Sequence, residues 1–430
     1  MRETILYSLY SFLLLVSAFV SSPYWIYKAL TTNKYRGSFR QRLGSDLPRR
    51  PEGAKPFWIH AVSVGEVLAA KSIVSALQRC RPDFPLIIST VTLTGQAMAE
   101  KEFRTAARIF YFPFDFAFSV NRFLERLDPR GVLLMETELW PNFIHCCRRR
   151  GVPVLLANGR ISAQSFQRYK RIKCFVRDML QSMTAIGVQT KEDAERFLNL
   201  GATEKQLRIT GNLKFDYALP ANEANSEWLD LISASLGQES GGHVIVAGST
   251  MKGEETIILD AFQRIVSDIP QARLILAPRH PERFDEVADL AYRSGRKFLR
   301  RSQLGNDSQS AEILLLDTMG ELRAVYSLAS VAVIGGSFLQ YGGHNPLEPA
   351  ALRKAIVFGP EMSNFKEISD IFVREAAACC CSTDDLAHVL TDLLKDREKQ
   401  HALGERAYDT LRRNQGATLA TLNWLLPYIS

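Results

Sequence analysis

The chain has 430 residues, of which 46% are hydrophobic and 23% charged, and it carries a net charge of +7. This length favours two domains over a single core, and the composition excludes a disordered protein. The positive charge favours acidic partners such as phosphates or an anionic membrane face, whereas no clustered basic and aromatic pattern points to nucleic acid.

Residues 1–32 are predicted to form a membrane anchor. No charged residue lies between Thr4 and Tyr27, which is long enough for one helix to span a bilayer, although its serines weaken the span. A cleaved signal peptide is the alternative, but Glu3 offsets Arg2 and no clear cleavage site follows. We therefore expect this segment to span the membrane or to be embedded in it. Several basic residues come next, and they place the body of the protein on the cytoplasmic side.

Residues 33–216 are predicted to form a first α/β domain, because buried apolar runs alternate there with helical periodicity. This alternation is typical of a parallel sheet covered by helices on both faces. The predicted strands are Phe57–His60, Leu86–Thr90, Ile109–Phe112, Val132–Met135, Val154–Ala157 and Ala185–Val188.

A second α/β domain is predicted over residues 243–415, after a looser linker at 217–242 that holds one short helix. Residues 416–430 are expected to pack back on the first domain. The fold class is therefore two Rossmann-like domains that face each other across a cleft. The predicted strands of the second domain are His243–Ala247, Leu274–Ala277, Ile313–Leu316, Val331–Ile334 and Ala355–Phe358.

The strand ends of the second domain carry groups that suit a nucleotide sugar. Hydroxyl and N–H groups surround Ser249, and Arg279 can hold two phosphate oxygens in a planar fork. A helix start with free amides is predicted after the third strand. These three loops contribute the donor-site residues Ser249, Pro278, Arg279, His280, Met319, Gly320 and Glu321.

The fourth loop, residues 335–349, is predicted to be the centre of this site. Its paired glycines permit a sharp turn and a close approach to a ligand, and Asn345 followed by Pro346 indicates a helix start. Free N–H groups and a helix N-terminus would together bind an anion. Glu348 would repel a phosphate, so it is expected to hold sugar hydroxyls instead.

Carboxylates follow the strands of the first domain. Glu66 opens a helix after the first strand, and Glu136 and Glu138 follow the strand Val132–Met135. The helix N-terminus should stabilise the charge of Glu66, which argues against a strongly raised pKa. An ionised glutamate could deprotonate a sugar hydroxyl; Glu66 is favoured because its neighbours are small, with Glu136 as the competitor.

Six motifs, in their order and spacing, closely resemble those of the bacterial Kdo transferases, where Kdo is 3-deoxy-D-manno-octulosonic acid. The resemblance covers nearly the whole chain. The motifs are Ser63–Glu66, Met135–Asn142, Gly211–Asp216, Pro278–His280, Met319–Leu322 and Gly343–Pro349.

The resemblance implies a GT-B glycosyltransferase on the cytoplasmic face of the inner membrane. It would transfer Kdo from CMP-Kdo to the lipid A precursor, lipid IVA, with inversion and without a metal or other cofactor. Glu66 would be the general base, and Glu136 and Lys214 would stabilise the transition state. The residues implied to hold CMP are Pro278, Arg279, Met319, Gly320, Glu321, Asn345, Pro346, Leu347 and Glu348.

Other observations agree with a metal-independent reaction but leave alternatives open. No Asp-x-Asp motif follows a strand, and the seven cysteines, including the triplet Cys379–Cys381, lack zinc-ligand spacing. A GT-B-fold nucleotide-sugar epimerase would share the same fold but would not need an anchor. A non-catalytic lipid-binding protein is the third alternative, although it would not need the donor motifs.

Overall fold

The computed structural model describes residues 2–31, 36–47, 50, 53–217, 227–237, 243–305 and 310–428. The chain forms two compact units. The first unit contains residues 1–217 together with 415–430, and the second contains residues 218–414. Parts of the predicted 217–242 linker, residues 218–226 and 238–242, lie outside the described residues.

The first unit is built on a seven-stranded parallel sheet in the order β3-β2-β1-β4-β5-β6-β7. Helices cover both faces because most strands are apolar on both sides, and β1, β2, β4, β5 and β6 are buried throughout. The strands are β1 Phe57–His60, β2 Leu86–Thr90, β3 Ala107–Tyr111, β4 Gly131–Met135, β5 Val154–Gly159, β6 Ala185–Val188 and β7 Leu207–Ile209. The helices are α1 Arg2–Thr31, α2 Arg36–Arg42, α3 Val64–Cys80, α4 Leu93–Phe103, α5 Ala117–Leu127, α6 Pro141–Arg149, α7 Ala163–Arg171, α8 Lys173–Ser182, α9 Lys191–Leu200, α10 Lys214–Tyr217 and α19 Ala417–Leu425.

The second unit repeats this architecture with a parallel sheet in the order β10-β11-β9-β8-β12-β13-β14. Its strands are β8 His243–Thr250, β9 Ala272–Pro278, β10 Phe298–Arg300, β11 Ile313–Leu315, β12 Val331–Ile334, β13 Ala355–Phe358 and β14 Cys379–Cys380. Its helices are α11 Glu227–Ser235, α12 Glu254–Asp268, α13 Phe284–Arg293, α14 Leu322–Val325, α15 Leu347–Ala351, α16 Lys366–Arg374, α17 Leu386–Lys395 and α18 Arg397–Arg413.

Every strand predicted from the sequence is present, and the prediction of two parallel α/β domains is confirmed. Three further strands, β7, β10 and β14, were not predicted from the sequence, and they are short strands at sheet edges. None of the three is buried throughout, so none produces the apolar run by which a central strand is recognised.

The last helix, α19, belongs to the first unit although it follows the second unit in the chain. The Asp216 carboxylate accepts hydrogen bonds from the backbone N–H groups of Gly416 (2.8 Å) and Thr418 (2.5 Å) at the start of this helix. Leu422 and Leu425 then pack into the same core cluster as Ile59 of β1. The hydrogen bonds to Asp216 and the packing of Leu422 and Leu425 together hold α19 on the first unit.

The first helix, α1, contains an apolar window, Leu6–Pro23, with a mean hydropathy of 1.5. By length and composition this window could cross a membrane, and only 6% of it is buried. The buried part includes Tyr7, whose ring stacks on His145 of α6 at 4.1 Å between centroids. The beginning of the helix is therefore packed on the first unit.

Candidate functional site

The carboxyl edge of the first sheet gathers the predicted catalytic residues. Strands β1 and β4 are hydrogen-bonded neighbours, and the order of the strands along the chain reverses between them. In open parallel sheets such a reversal separates the loops that follow the two strands and opens a ligand site. Glu66 lies at the start of α3, the helix that follows β1, and Glu136 and Glu138 come from the loop after β4.

Glu66 lies in the first turn of α3 and is only 6% exposed. Its Oε2 accepts a hydrogen bond from the Val62 N–H (2.8 Å), and its Oε1 accepts one from the Ser63 hydroxyl (3.0 Å). Burial and the nearby charge of Glu136 outweigh these bonds and raise the pKa of Glu66 to about 8. The prediction that this pKa would not be strongly raised is therefore wrong, because removal from water disfavours the ionised form more than the helix start favours it.

The surroundings of Glu136 favour its ionised form, unlike those of Glu66. Its Oε1 lies 3.0 Å from the Lys214 ammonium, and its Oε2 accepts a hydrogen bond from Nε of Arg160 at 3.3 Å. Burial would raise the pKa of Glu136, but these two cations reverse that effect and lower it. Glu136 is thus an ionised, charge-compensated carboxylate at neutral pH, and a weaker base than Glu66.

Glu138 is a third carboxylate in the same group. Burial, followed by the charge of Glu136, raises the pKa of Glu138 to about 7. The charge of Glu138 in turn contributes to the raised pKa of Glu66. Neighbouring carboxylates whose pKa values are pushed apart are typical of sites that perform acid–base chemistry.

Lys214 reaches Glu136 because the segment Gly211–Asp216 is fixed from several directions. Asn158, in the left-handed region at φ 57°, accepts a hydrogen bond from the Leu213 N–H through Oδ1 at 3.0 Å. Asn212 accepts one from the Lys214 N–H at 3.0 Å. Asn158 and Arg160 were not predicted as site residues, although both come directly after the apolar residues Val154–Ala157 of β5.

The carboxyl edge of the second sheet carries the predicted donor residues. Ser249 adopts the left-handed region at φ 58°, and a Cβ on Gly335 would lie 2.4 Å from the Ser249 carbonyl oxygen. The turn after β12 therefore needs glycine where it passes the end of β8, so the close approach predicted toward a ligand is made here to Ser249. Strands β8 and β12 are hydrogen-bonded neighbours, which brings this turn to the end of β8.

The amides of the glycine turn are not free, contrary to the prediction. The Glu254 carboxylate, which is fully buried, accepts hydrogen bonds from the N–H groups of Gly336 (2.6 Å) and Phe338 (2.9 Å). It also accepts one from the Met251 N–H at 2.9 Å. A buried carboxylate of the protein itself thus occupies the place that the sequence predicted for a ligand. Glu254 reads in the sequence as an ordinary first-turn glutamate, so it was missed.

The helix after this turn begins one residue later than predicted. Asn345 accepts a hydrogen bond from the Leu347 N–H at 3.1 Å, and Pro346 stands at the N-cap position before α15. Asn345 also donates to Glu348 at 3.3 Å, and burial raises the pKa of Glu348. Asn345 and Glu348 are therefore joined in one hydrogen-bonded group.

Arg279 is exposed directly after β9, and its backbone N–H donates to the Thr250 carbonyl at 3.0 Å. Its guanidinium has no hydrogen bond or ion pair with the described part of the chain. Burial, then the charge of Arg279, lowers the pKa of His344 to about 4, so His344 is neutral. The guanidinium is thus available to an anionic ligand.

Glu321, the second acidic residue of the donor set besides Glu348, is already paired. The Arg301 guanidinium donates two hydrogen bonds to its carboxylate, both at 3.1 Å. The neighbouring Gly320 has φ 90°, and Met319 is 59% exposed. Because Arg301 neutralises Glu321, this loop can approach a phosphate without an uncompensated negative charge. Arg301 was not predicted as a site residue because it follows β10, the edge strand that the sequence pattern did not reveal.

The loop that carries Arg279 is braced by a buried ion pair. Arg283 donates two hydrogen bonds to Glu255, at 2.7 and 3.0 Å, and Glu255 is fully buried. Glu255 also accepts a hydrogen bond from the Thr250 hydroxyl at 2.8 Å. The loops after β8 and β9 are thereby held together. Within the described residues, no group of three or more His, Cys, Asp or Glu side chains could hold a metal ion.

Solved structures with the same architecture identify the fold. The chain resembles a UDP-GlcNAc 2-epimerase from Neisseria meningitidis with a TM-score of 0.60 and 12% identity, covering 86% of this chain and 100% of the other. It resembles MurG from Acinetobacter baumannii with a TM-score of 0.51 and 14% identity, covering 87% and 100%. These likenesses show the GT-B fold and do not argue for an epimerase.

Sequence comparisons identify the family. Residues 37–217 match the family described as 3-Deoxy-D-manno-octulosonic-acid transferase (kdotransferase). A 3-deoxy-D-manno-octulosonic acid transferase from Haemophilus influenzae is 35% identical over 402 residues, 92% of each chain. One from Bordetella pertussis is 34% identical over 395 residues, 89% of this chain and 90% of the relative. This chain therefore belongs to the Kdo transferase family of glycosyltransferases.

Proposed function

We propose that this enzyme transfers Kdo from CMP-Kdo to the lipid A precursor lipid IVA, with inversion and without a metal, and that Glu66 is the general base. The observation that carries the proposal is the opposite state of two neighbouring carboxylates. Burial and charge raise the pKa of Glu66 to about 8, whereas Lys214 and Arg160 keep Glu136 ionised.

The acceptor is an alcohol, which becomes a good nucleophile only as its proton is removed. Glu66 would take that proton while the hydroxyl oxygen bonds to the anomeric carbon of Kdo. The bond between this carbon and the phosphate oxygen breaks, and CMP leaves with the electron pair. A base of raised pKa accepts the proton more readily than the ion-paired Glu136.

Glu136 and Lys214 would stabilise the transition state as a fixed ion pair. A preorganised carboxylate and ammonium need little reorganisation when charge develops on the sugar and on the leaving group. The 3.0 Å contact between them, and the additional contact from Arg160, support this preorganisation. This assigns to Glu136 the electrostatic role and to Glu66 the transfer of the proton.

The second unit would bind CMP-Kdo. Arg279 is exposed and unpaired within the described residues, so its guanidinium can meet the phosphate of the leaving CMP. Glu321, paired with Arg301, can accept hydrogen bonds without a large repulsion. The remaining residues of the proposed donor site are Ser249, Pro278, His280, Met319, Gly320, Asn345, Pro346, Leu347 and Glu348.

The enzyme would act on the cytoplasmic face of the inner membrane, anchored by residues 1–32. The apolar window Leu6–Pro23 supports an anchor, and the basic residues that follow support this orientation. A positively charged body also suits an acceptor that carries phosphates in an anionic bilayer.

The test is to incubate the purified protein with CMP-Kdo and lipid IVA, and then to measure CMP release and the mass of the lipid. We expect the mass of the lipid to increase by whole Kdo residues, with CMP released only when the acceptor is present. Glu66→Gln should lose transfer but keep CMP-Kdo binding, whereas the exposed Glu125→Gln should keep both. CMP release without lipid modification would contradict the proposal.

A further inference from the structure

The glycine turn after β12, residues 335–345, uses most of its hydrogen-bonding groups inside the protein. The Glu254 carboxylate already accepts hydrogen bonds from two of its N–H groups. The buried Ser337 hydroxyl donates to the Ile334 carbonyl at 2.6 Å and accepts from the Gly359 N–H at 2.8 Å. Three further N–H groups of the turn donate to backbone carbonyls, those of Gly335, Tyr341 and Gly343. These groups could bind a phosphate only if the turn gave up its own contacts.

The imidazole of His344 is an exception in this turn. Neither of its ring nitrogens has a hydrogen bond with the described residues, and Nε2 is buried. A Cβ on Gly336 would lie 2.9 Å from Cδ2 and 3.1 Å from Nε2 of His344, so this edge of the ring is packed against the turn. Nδ1 lies opposite that edge in the ring and is not enclosed. The side of the imidazole that a ligand can reach is therefore the Nδ1 side.

The packing of the ring also decides where its proton lies. A neutral imidazole carries one N–H, and a buried N–H without a partner is costly. The tautomer with the proton on Nδ1 avoids this cost, whereas the imidazolium would place an N–H on the buried Nε2 as well. Burial, followed by the charges of Arg279 and His280, acts in the same direction and lowers the pKa of His344 to about 4. His344 therefore presents one open, uncharged N–H group.

This N–H group lies near the guanidinium of Arg279, whose charge acts on the His344 ring. Arg279 is exposed, and its guanidinium has no hydrogen bond or ion pair with the described part of the chain. Its backbone is fixed by the 3.0 Å hydrogen bond to the Thr250 carbonyl. A second cation beside Arg279 would be repelled, but a neutral N–H adds a donor for an anion without that repulsion. The two side chains are complementary parts of a phosphate site.

We propose that His344 is a further catalytic residue, which donates a hydrogen bond from Nδ1 to the phosphate of CMP-Kdo beside Arg279 and stabilises the departing CMP. This inference rests on the proposed function, because it concerns the same donor. When the bond between the anomeric carbon and the phosphate oxygen breaks, the electron pair stays on that oxygen and the phosphate gains a second negative charge. A hydrogen bond to the phosphate becomes stronger as this charge develops.

His344 transfers no proton in this step. The second pKa of a phosphate monoester is about 6, so CMP can leave as a dianion at neutral pH. The proton of the acceptor hydroxyl goes to Glu66, as in the proposed reaction. The leaving group therefore needs stabilisation of its charge, which a neutral donor and a guanidinium supply together.

The test compares the binding of CMP and of cytidine to the full-length protein in detergent, by isothermal titration calorimetry. CMP carries the complete charge of the leaving group, cytidine is the same ligand without the phosphate, and neither requires an acceptor lipid. His344→Leu removes the donor, whereas His344→Asn places an amide N–H close to the position of Nδ1 and cannot become a cation. His388→Leu is the matched control, since His388 is 78% exposed on α17.

We expect His344→Leu to weaken CMP binding about ten- to hundredfold, as for other hydrogen bonds to charged groups, and to leave cytidine binding unchanged within error. His344→Asn should recover part of this loss, and kcat for transfer should follow the same order among the variants. Arg279→Ala should show the same selective loss of CMP binding, because it removes the other phosphate contact. His388→Leu should change the binding of neither ligand.

Unchanged CMP affinity in His344→Leu would overturn the inference, and so would an equal loss of CMP and cytidine affinity, which would show a structural role. His344→Asn binding CMP no better than His344→Leu would overturn the role of a neutral N–H at this position. If the Tm shows that His344→Leu does not fold, His344→Ala takes its place with the same expected loss. A wild type that binds CMP no more tightly than cytidine would overturn the proposed donor as well, whereas the other outcomes leave the proposed function intact.

Discussion

The pH dependence of transfer is the most direct test of the roles of the carboxylates. Glu66 can act as a base only when ionised, and burial with the charge of Glu136 raises its pKa to about 8. At pH 7 about a tenth of the enzyme would have ionised Glu66, and at pH 9 about nine tenths. We therefore expect kcat/KM for the acceptor to rise about tenfold between pH 7 and pH 9.

Changes to the neighbouring carboxylates should move the midpoint of this rise. Glu138→Gln removes a charge that opposes the ionisation of Glu66, so the midpoint should fall. Glu136→Gln should lower it further, because Lys214 and Arg160 would lose the carboxylate that compensates them. In Glu66→Gln the residual rate should be lower by about 10²–10⁴-fold and should no longer show the rise.

Stability gives an independent measurement of the same pKa. Because the pKa of Glu66 is raised on folding, its contribution to stability is present below its ordinary pKa and is lost as the pH rises through 8. Glu66→Gln, which cannot ionise, should lose less free energy of unfolding than the wild type between pH 7 and pH 9. A flat rate profile, or a rise that persists in Glu66→Gln while Glu136→Gln abolishes it, would refute the assignment.

Two further predictions concern the donor site, and a third concerns metal dependence. Arg279→Ala should raise the KM for CMP-Kdo about ten- to hundredfold, since charge-assisted hydrogen bonds contribute about 1.5–3 kcal/mol. Arg279→Lys should bring the KM only part of the way back to the wild-type value. An unchanged KM in Arg279→Ala would show that Arg279 does not contact the donor. Glu254→Gln should lower the free energy of unfolding in urea by about 1–3 kcal/mol, because an amide NH₂ would then face a backbone N–H. The control Glu282→Gln changes an exposed side chain and should have little effect. If both variants were as stable as the wild type, the buried role of Glu254 would be contradicted. EDTA should leave turnover unchanged, because the described residues contain no group that could hold a metal; activity lost to EDTA and restored by Mg²⁺ would overturn this.

The sequence predicted the central strands and the loops that follow them, because buried parallel strands produce unmistakable apolar runs. It could not predict which strands are neighbours. The approach of Glu254 to the glycine turn depends on the pairing of β8 with β12, which are separated by three strands in the chain. Lys214 was named only through the family resemblance, since nothing in its local pattern indicates that it reaches Glu136.

The error about the pKa of Glu66 has a different origin. The sequence shows that Glu66 lies in the first turn of a helix, and this position lowers the pKa of a carboxylate as predicted. The extent of burial and the identity of the neighbouring charges are tertiary properties, and both act in the opposite direction. The position of a carboxylate in its helix therefore makes only one of several competing contributions to its pKa. In Glu66 that contribution is smaller than the effect of burial.

The return of α19 to the first unit has a consequence for synthesis on the ribosome. Leu422 and Leu425 complete a core whose other members, such as Ile59, are made far earlier. The first unit is interrupted at residue 217 and resumes at residue 415, so about 200 residues are made before its last helix emerges. At roughly 5–20 residues per second this takes about 10–40 s. During that interval the apolar surface that α19 covers stays open, and the continuous second unit can fold first. A nascent chain stalled after residue 414 should therefore expose the apolar surface that α19 covers and bind chaperones there. A chain released after residue 430 should not.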